Sequence, residues 1–344
     1  MFWLAVGAVG ALGAVTLQIM GPPPAPPVAR PASGANPATP SSVAAATPAR
    51  AAQAFARPGR SGTDPVAGPD PALLEQAGDG GQDVLPRVAP DGRTPMAVYA
   101  AGFDRTDLRP RVGLLIAGIG LNHADSMAAI QLLPGPVTLA ISPYAGPVVD
   151  ILAAARLARH EYVLSLPMLP AGFPVNDPDS RHALMTSLSP AENLSRLHWV
   201  MSRITGYVGL TSVMGGMQGE QMLDAPDQLQ PILRDVADRG LLFIATRSRP
   251  APLRYVWSRD ADAIVDEAPA DAGTIDQRLD QLAATARAKG SALGIVTLPR
   301  PVALDRVAAW AAGLSEKGIL LAPVSALVVP PAVRETQATQ DIQE

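Results

Sequence analysis

Residues 110–330 read as an α/β fold built on a parallel sheet, and two observations predict it. Short apolar runs recur along this stretch, most of them continuous rather than alternating, as strands buried on both faces require. Segments of helical length separate them, with Ser, Asp or Pro at their starts and glycine at several of their ends. Repeated βα units of this kind close into a barrel or stay open as a sheet, and the pattern alone leaves both open.

The elements follow in order. Strands are expected at Val112–Ala117, Val137–Ser142, Tyr162–Leu166, Tyr207–Thr211, Leu241–Ala245, Ala263–Val265, Leu293–Leu298 and Ile319–Pro323. Helices are expected over 124–133, 146–159, 190–204, 225–239, 274–289 and 301–317. Asn122 or Asp125 would cap the first helix. Ser189, Pro190 and Glu192 give the third a capping serine, a proline at the first helical position and an acid in the first turn. Asp224 is the expected cap of the next, and Arg239-Gly240, Lys289-Gly290 and Lys317-Gly318 are helix endings.

The composition shifts sharply before this region. Phe2 to Met20 carries no charged side chain, and a helix of that length spans roughly 28 Å, about one bilayer core. A retained signal anchor, a cleaved signal peptide and a buried core helix are the three readings; length and uniform apolarity favour the anchor, and membrane contact through residues 2–20. Residues 22–100 are rich in Pro, Ala and Gly, so they are expected to be a disordered linker. That linker is either a plain tether or a proline-rich docking site for a protein partner. The expected organisation is thus an anchor over 1–21, a linker over 22–100, a domain over 108–330 and a flexible tail over 331–344.

Composition also excludes. The net charge of −4 comes with no basic block, which argues against nucleic acid. With no cysteine there is neither a disulfide nor a thiolate metal site. Gly113, Gly118 and Gly120 do not make a phosphate-binding fingerprint, and no nucleophile elbow is present.

Several motifs occur in sequence order. They are Arg111–Gly120 (RVGLLIAGIG), the Pro134–Leu139 run (PGPVTL), Leu166-Pro167-Met168, Asn176-Asp177-Pro178, Met214-Gly215, Arg247 and Pro323-Val324-Ser325. Together they resemble the divergent polysaccharide deacetylase family over about 110–328. The resemblance implies a distorted (β/α) barrel, preceded here by the membrane helix and linker. It also implies a hydrolase of carbon–nitrogen bonds other than peptide bonds, using a divalent metal such as zinc. Such a metal needs imidazole and carboxylate ligands with one position left open.

The positions that the resemblance assigns to this chemistry are substituted. Ala117 and Gly118 stand where the family has two aspartates. Ser165, Val213 and Leu298 stand where it has histidines, and Ala245 where it has an aspartate. No metal and no cofactor are therefore expected, and the resemblance points to an inactive envelope protein of carbohydrate metabolism. Its expected place is the bacterial inner membrane, single-pass, with the domain in the periplasm, binding cell-envelope glycan or serving as a scaffold. An enzyme with a rearranged site is the alternative.

Residues that could still do chemistry are few. His123 and Asp125, after the first strand, could form a relocated metal or acid–base pair, against a plain cap and loop reading. His182 is a second wild card in a loop. His160, at a helix end, reads as structural with an imidazolium favouring the helix dipole. His198, within the third helix, reads as surface or half-buried. Arg247 is a brace or an anion contact. Tyr144 is the best sugar-stacking side chain in a chain with only 4% aromatic residues, and Asn176 and Asp177 are further candidate ligand-binding residues.

Overall fold

The structure, a computed structural model, describes residues 62–77, 83–247 and 253–331. The expected span at 2–20, the proline-rich run that follows it and the tail from 332 lie outside the described residues. Among the described residues no helix is long and apolar enough to cross a membrane.

The chain runs β1 (Leu74–Gln76), β2 (Val84–Pro86), α1 (Pro95–Val98), β3 (Arg111–Ile119), α2 (His123–Leu132), β4 (Thr138–Ile141), α3 (Val149–Leu157), β5 (Tyr162–Ser165) and α4 (Pro190–Met201). It continues through β6 (Gly209–Thr211), α5 (Glu220–Leu223), α6 (Pro226–Asp238), β7 (Leu242–Ala245), β8 (Ser258–Asp260), β9 (Ala263–Ile264), α7 (Ala272–Lys289), β10 (Ser291–Val296), α8 (Pro301–Ala312) and β11 (Leu320–Leu321). β8, β1, β2, α1 and α5 are too short to show a period in the sequence, and they are the elements that sequence reading misses.

The main sheet has the order β8-β7-β6-β5-β4-β3-β10-β9, and its strands pair in parallel. The long strand β3 is central. On one edge it pairs with β10 from Arg111 to Ile116. The other edge serves β11 at Arg111 and Val112, then β4 from Leu115 to Ile119. The two end strands of the order, β8 and β9, are joined by only Ala261 and Asp262. A three-bond Cα path covers at most about 11 Å, so the sheet must curl until its ends nearly meet. The result is an incompletely closed barrel, the distorted form that was expected.

Alternate residues separate two cores. Leu114, Ile116, Leu139, Ile141, Leu164 and Phe243 pack outward under the helices. Leu115, Ala117, Ala140, Val163, Ile244 and Ile295 face inward. Leu73, Met96 and Tyr99 fill this inner core, each at most 2% exposed. The expectation of a linker over 22–100 is therefore corrected over its described part, residues 62–77 and 83–100. Burying Leu73 or Met96 contributes about 1.5–3 kcal/mol apiece, which widely spaced apolar residues can supply without regular structure. Polar contacts fix the segment: Arg93 Nη1 meets Asp70 Oδ2 at 2.5 Å, and the Tyr99 hydroxyl accepts the Asp70 N–H at 2.9 Å.

Glu161, just before β5, is fully buried and ties three parts of the chain together. It accepts from Ala101 N (2.9 Å), Thr138 Oγ1 (3.1 Å), Ser325 N (3.0 Å) and Ser325 Oγ (2.6 Å). Thr138 Oγ1 in turn accepts from Val324 N at 3.1 Å. Two of the motif segments singled out in the sequence, Pro134–Leu139 and Pro323–Ser325, thus meet in one structural network.

Two helix caps form as expected: Asn122 accepts from Asp125 N, and Ser189 with Glu192 makes a capping box. The expected cap at Asp224 does not form. The short helix α5 ends at Leu223 with Asp224 as its C-cap, α6 begins after Ala225, and the Asp224 carboxylate turns instead to Arg247. The last helix stops at Ala312 rather than 317, with turns leading to a left-handed Gly318.

Candidate functional site

In parallel α/β folds chemistry sits at the carboxyl ends of the strands. Here β3 ends in a bulge: its register with β4 shifts between Ile116 and Ile119. Gly118, inside the bulge, has φ +78°, and Gly120 has φ +90°. Ala117 beside it is completely buried in the inner core. A β-carbon on Gly118 would stand 2.9 Å from Leu298 Cδ2 and 3.2 Å from Pro299 Cδ. The bulge that would aim two acids into the mouth remains, and Leu298 occupies the space in front of it.

The other substituted positions complete an apolar and hydroxyl-lined pole. Val213 and Ala245 are fully buried. Ser165 is 1% exposed, and its Oγ has no hydrogen-bond partner. Ser212 Oγ and Thr246 Oγ1 lie 3.1 Å apart, and Thr246 donates to Gln218 O at 2.8 Å. The buried carboxylate of Asp266 sits among these strand ends, and sequence reading missed it. It accepts from Thr297 N (2.7 Å), Thr297 Oγ1 (2.9 Å) and Leu298 N (3.2 Å). With its oxygens taken by these donors it clamps β9 to β10 and holds Leu298 in place. Its only sequence signal is a lone acid following a short apolar run.

The side chains at this pole do not fit the divalent metal that the family implies. Ala117, Gly118, Val213, Ala245 and Leu298 offer no donor, and neutral Ser165 is a poor zinc ligand. Among the described residues no group of three His, Asp or Glu could hold a metal ion.

The remaining candidates are placed as follows. His123 Nε2 lies 2.6 Å from Asp150 Oδ2, with both side chains 61% exposed. The expected pairing of His123 with Asp125 is thus replaced by one with Asp150, whose carboxyl pKa this contact lowers. Asp125 stays in the first turn of α2, its N–H capped by Asn122. Arg247 pairs with Asp224, a brace across the rim, while its Nε is buried without a partner. His160 is fully buried, with Nδ1 2.7 Å from Val137 O and Nε2 3.3 Å from Ile130 O. Burial lowers its pKa, which works against the expected imidazolium. His198 is half-buried against Asp235, at 3.1 Å.

The structure does bring Tyr144 and His182 together, through Trp199 of α4. His182 stacks on Trp199 with ring centroids 3.7 Å apart, and Tyr144 stands 5.8 Å from Trp199 and 6.4 Å from His182. Asp179 Oδ2 lies 2.8 Å from His182 Nδ1, a contact that lowers the Asp179 pKa. Burial, then the nearby Asp179 charge, pushes the Tyr144 phenol upward. Arg203 lies 5.2 Å from the Trp199 ring centroid. Arg196, one turn before Trp199, donates to Ser180 O and Ala183 O. The cluster therefore joins the segments that follow β4 and β5 to α4. Asn176 donates its amide to Ala171 O at 3.0 Å, and Asp177 is exposed, its charge adding to those that raise the Tyr144 pKa.

This curled parallel sheet, with its chemistry-bearing positions gathered at one pole, defines a deacetylase-type α/β barrel. A profile of the divergent polysaccharide deacetylase family matches residues 114–328, and the chain belongs to that family. An uncharacterized protein from Agrobacterium tumefaciens is similar, with a TM-score of 0.65 and 30% identity over 72% of this chain and 100% of that one. Also similar is a family 4 carbohydrate esterase from Streptomyces lividans in complex with acetate, with a TM-score of 0.41 and 16% identity over 66% of this chain and 100% of that one. The catalytic domain of a peptidoglycan N-acetylglucosamine deacetylase from Eubacterium rectale has a TM-score of 0.40 and 10% identity, over 65% of this chain and 92% of that one. No curated protein matches the chain.

Proposed function

We propose that this protein is a non-catalytic member of its family. In this reading residues 2–20 hold it at the bacterial inner membrane, and the domain works in the periplasm as a glycan-binding or scaffold module. The observation that carries the reading is Leu298 packed against left-handed Gly118. Metal-assisted amide hydrolysis needs a Lewis acid, an activated water and proton donors at the scissile bond. The substituted positions of this pole offer apolar side chains and a hydroxyl, and the nearby Asp266 carboxylate is engaged by Thr297 and Leu298. A sugar would find hydrogen-bonding groups instead at the exposed loop of Asn176 and Asp177.

The test is acetate release from chitooligosaccharides and peptidoglycan fragments by the full chain with zinc supplied, alongside a calorimetric zinc titration. No turnover above a heat-inactivated control and no stoichiometric zinc are expected. Turnover with tight one-to-one zinc would overturn the reading. Activity centred on His123, Asp125 or His182 would be lost on alanine substitution there. A docking role for the proline-rich run is tested by deleting residues 21–61 only, because the chain from 62 onward carries part of the inner core.

A further inference from the structure

We infer that the amino-end pole of the barrel rests on the anionic lipid surface to which the chain is anchored. The inference builds on the membrane-anchor reading above. The chain joins the described domain at residue 62, and its first contacts fix where. Arg159 Nη1 donates to Gly62 O at 3.4 Å, and Val66 N donates to Arg156 O at 3.1 Å. Both arginines lie at the carboxyl end of α3, at the pole opposite the substituted site. The described chain therefore begins on this face.

The same face carries a small apolar and basic patch. Leu157 is 73% exposed and Leu132 45% exposed, each at the end of its helix. The two ends are adjacent: His160 bridges to Ile130 O, and a β-carbon on Gly135 would meet Ala158 O at 2.8 Å. Among the described residues neither Arg156 nor Arg159 makes an ion pair with a carboxylate. Arg156 Nη1 is instead bonded to the Tyr162 hydroxyl. Asp64 is the acid in the joining segment. Exposed leucines beside guanidinium groups whose partners are a hydroxyl and a carbonyl rather than a carboxylate match an interface of acyl chains and anionic headgroups. Each contact is weak alone, but a tethered domain meets the surface at high effective concentration.

The absence of cysteine makes the test clean, since a single introduced thiol takes the label. The full chain carrying Leu157→Cys is labelled with a polarity-sensitive fluorophore and reconstituted into phosphatidylcholine vesicles with or without phosphatidylglycerol. Val175→Cys, 92% exposed in the loop after β5, is the control. Spin-labelled lipids should quench the Leu157→Cys probe in anionic vesicles and leave the Val175→Cys probe unquenched. Adding Arg159→Gln should weaken the docked state about fivefold. Equal quenching at both sites, or none at Leu157→Cys in chain that floats with the vesicles, overturns the docking alone. Chain that fails to float overturns the anchor and the docking together.

Discussion

Ser325 donates its hydroxyl to the Glu161 carboxylate at 2.6 Å, joining the end of the domain to the start of β5 across 164 residues of sequence. Ala101, Thr138 and the Ser325 N–H donate to the same carboxylate. Replacing Glu161 with Leu would strand these donors in a fully buried position. The expected loss is about 3 kcal/mol or more of unfolding free energy, read from the urea midpoint. A loss below about 1 kcal/mol would show that water reaches these groups.

Gly118 and Leu298 form a second testable pair. Gly118→Ala should cost roughly 1–2 kcal/mol for its left-handed backbone, plus the clash with Leu298. In a double-mutant cycle, Leu298→Ala should relieve the clash and leave the backbone cost. Strict additivity of the two changes in urea unfolding would show that Leu298 does not press on this position.

His160 sets a pH dependence with a definite sign. Burial holds its folded pKa below the unfolded value of about 6.5. Between the two values the unfolded chain binds more protons than the folded one, so stability rises with pH across that window. Equivalently, stability should fall as pH drops below about 6.5. In His160→Gln, this part of the slope should disappear from unfolding midpoints measured between about pH 5 and 7.

The parallel α/β class was legible because β3, β5, β7 and β10 are continuous apolar runs and the helices between them carry their own stop signals. The amino-terminal packing was not legible. Leu73, Met96 and Tyr99 are spread through a proline- and glycine-rich stretch, and their burial depends on an inner surface that only the curled sheet creates. The substituted pole could be read residue by residue, since Ala117, Val213 and Leu298 announce apolar character directly. The Tyr144–His182–Trp199 cluster could not, because its members come from three separated segments. Asp224 was misread because a cap and an ion-pair partner look alike in sequence, and only the intervening α5 decides between them.

The near meeting of β8 and β9 has a consequence for association. An exposed sheet edge is a template on which another chain can add a strand. Here the end strands are only three and two residues long. β8 is further engaged, since Ser258 and Val329 exchange both backbone hydrogen bonds, at 3.1 and 2.9 Å. An incoming strand would find few free backbone groups in register at either end, so the gap that keeps the barrel open is poorly suited to edge-to-edge aggregation.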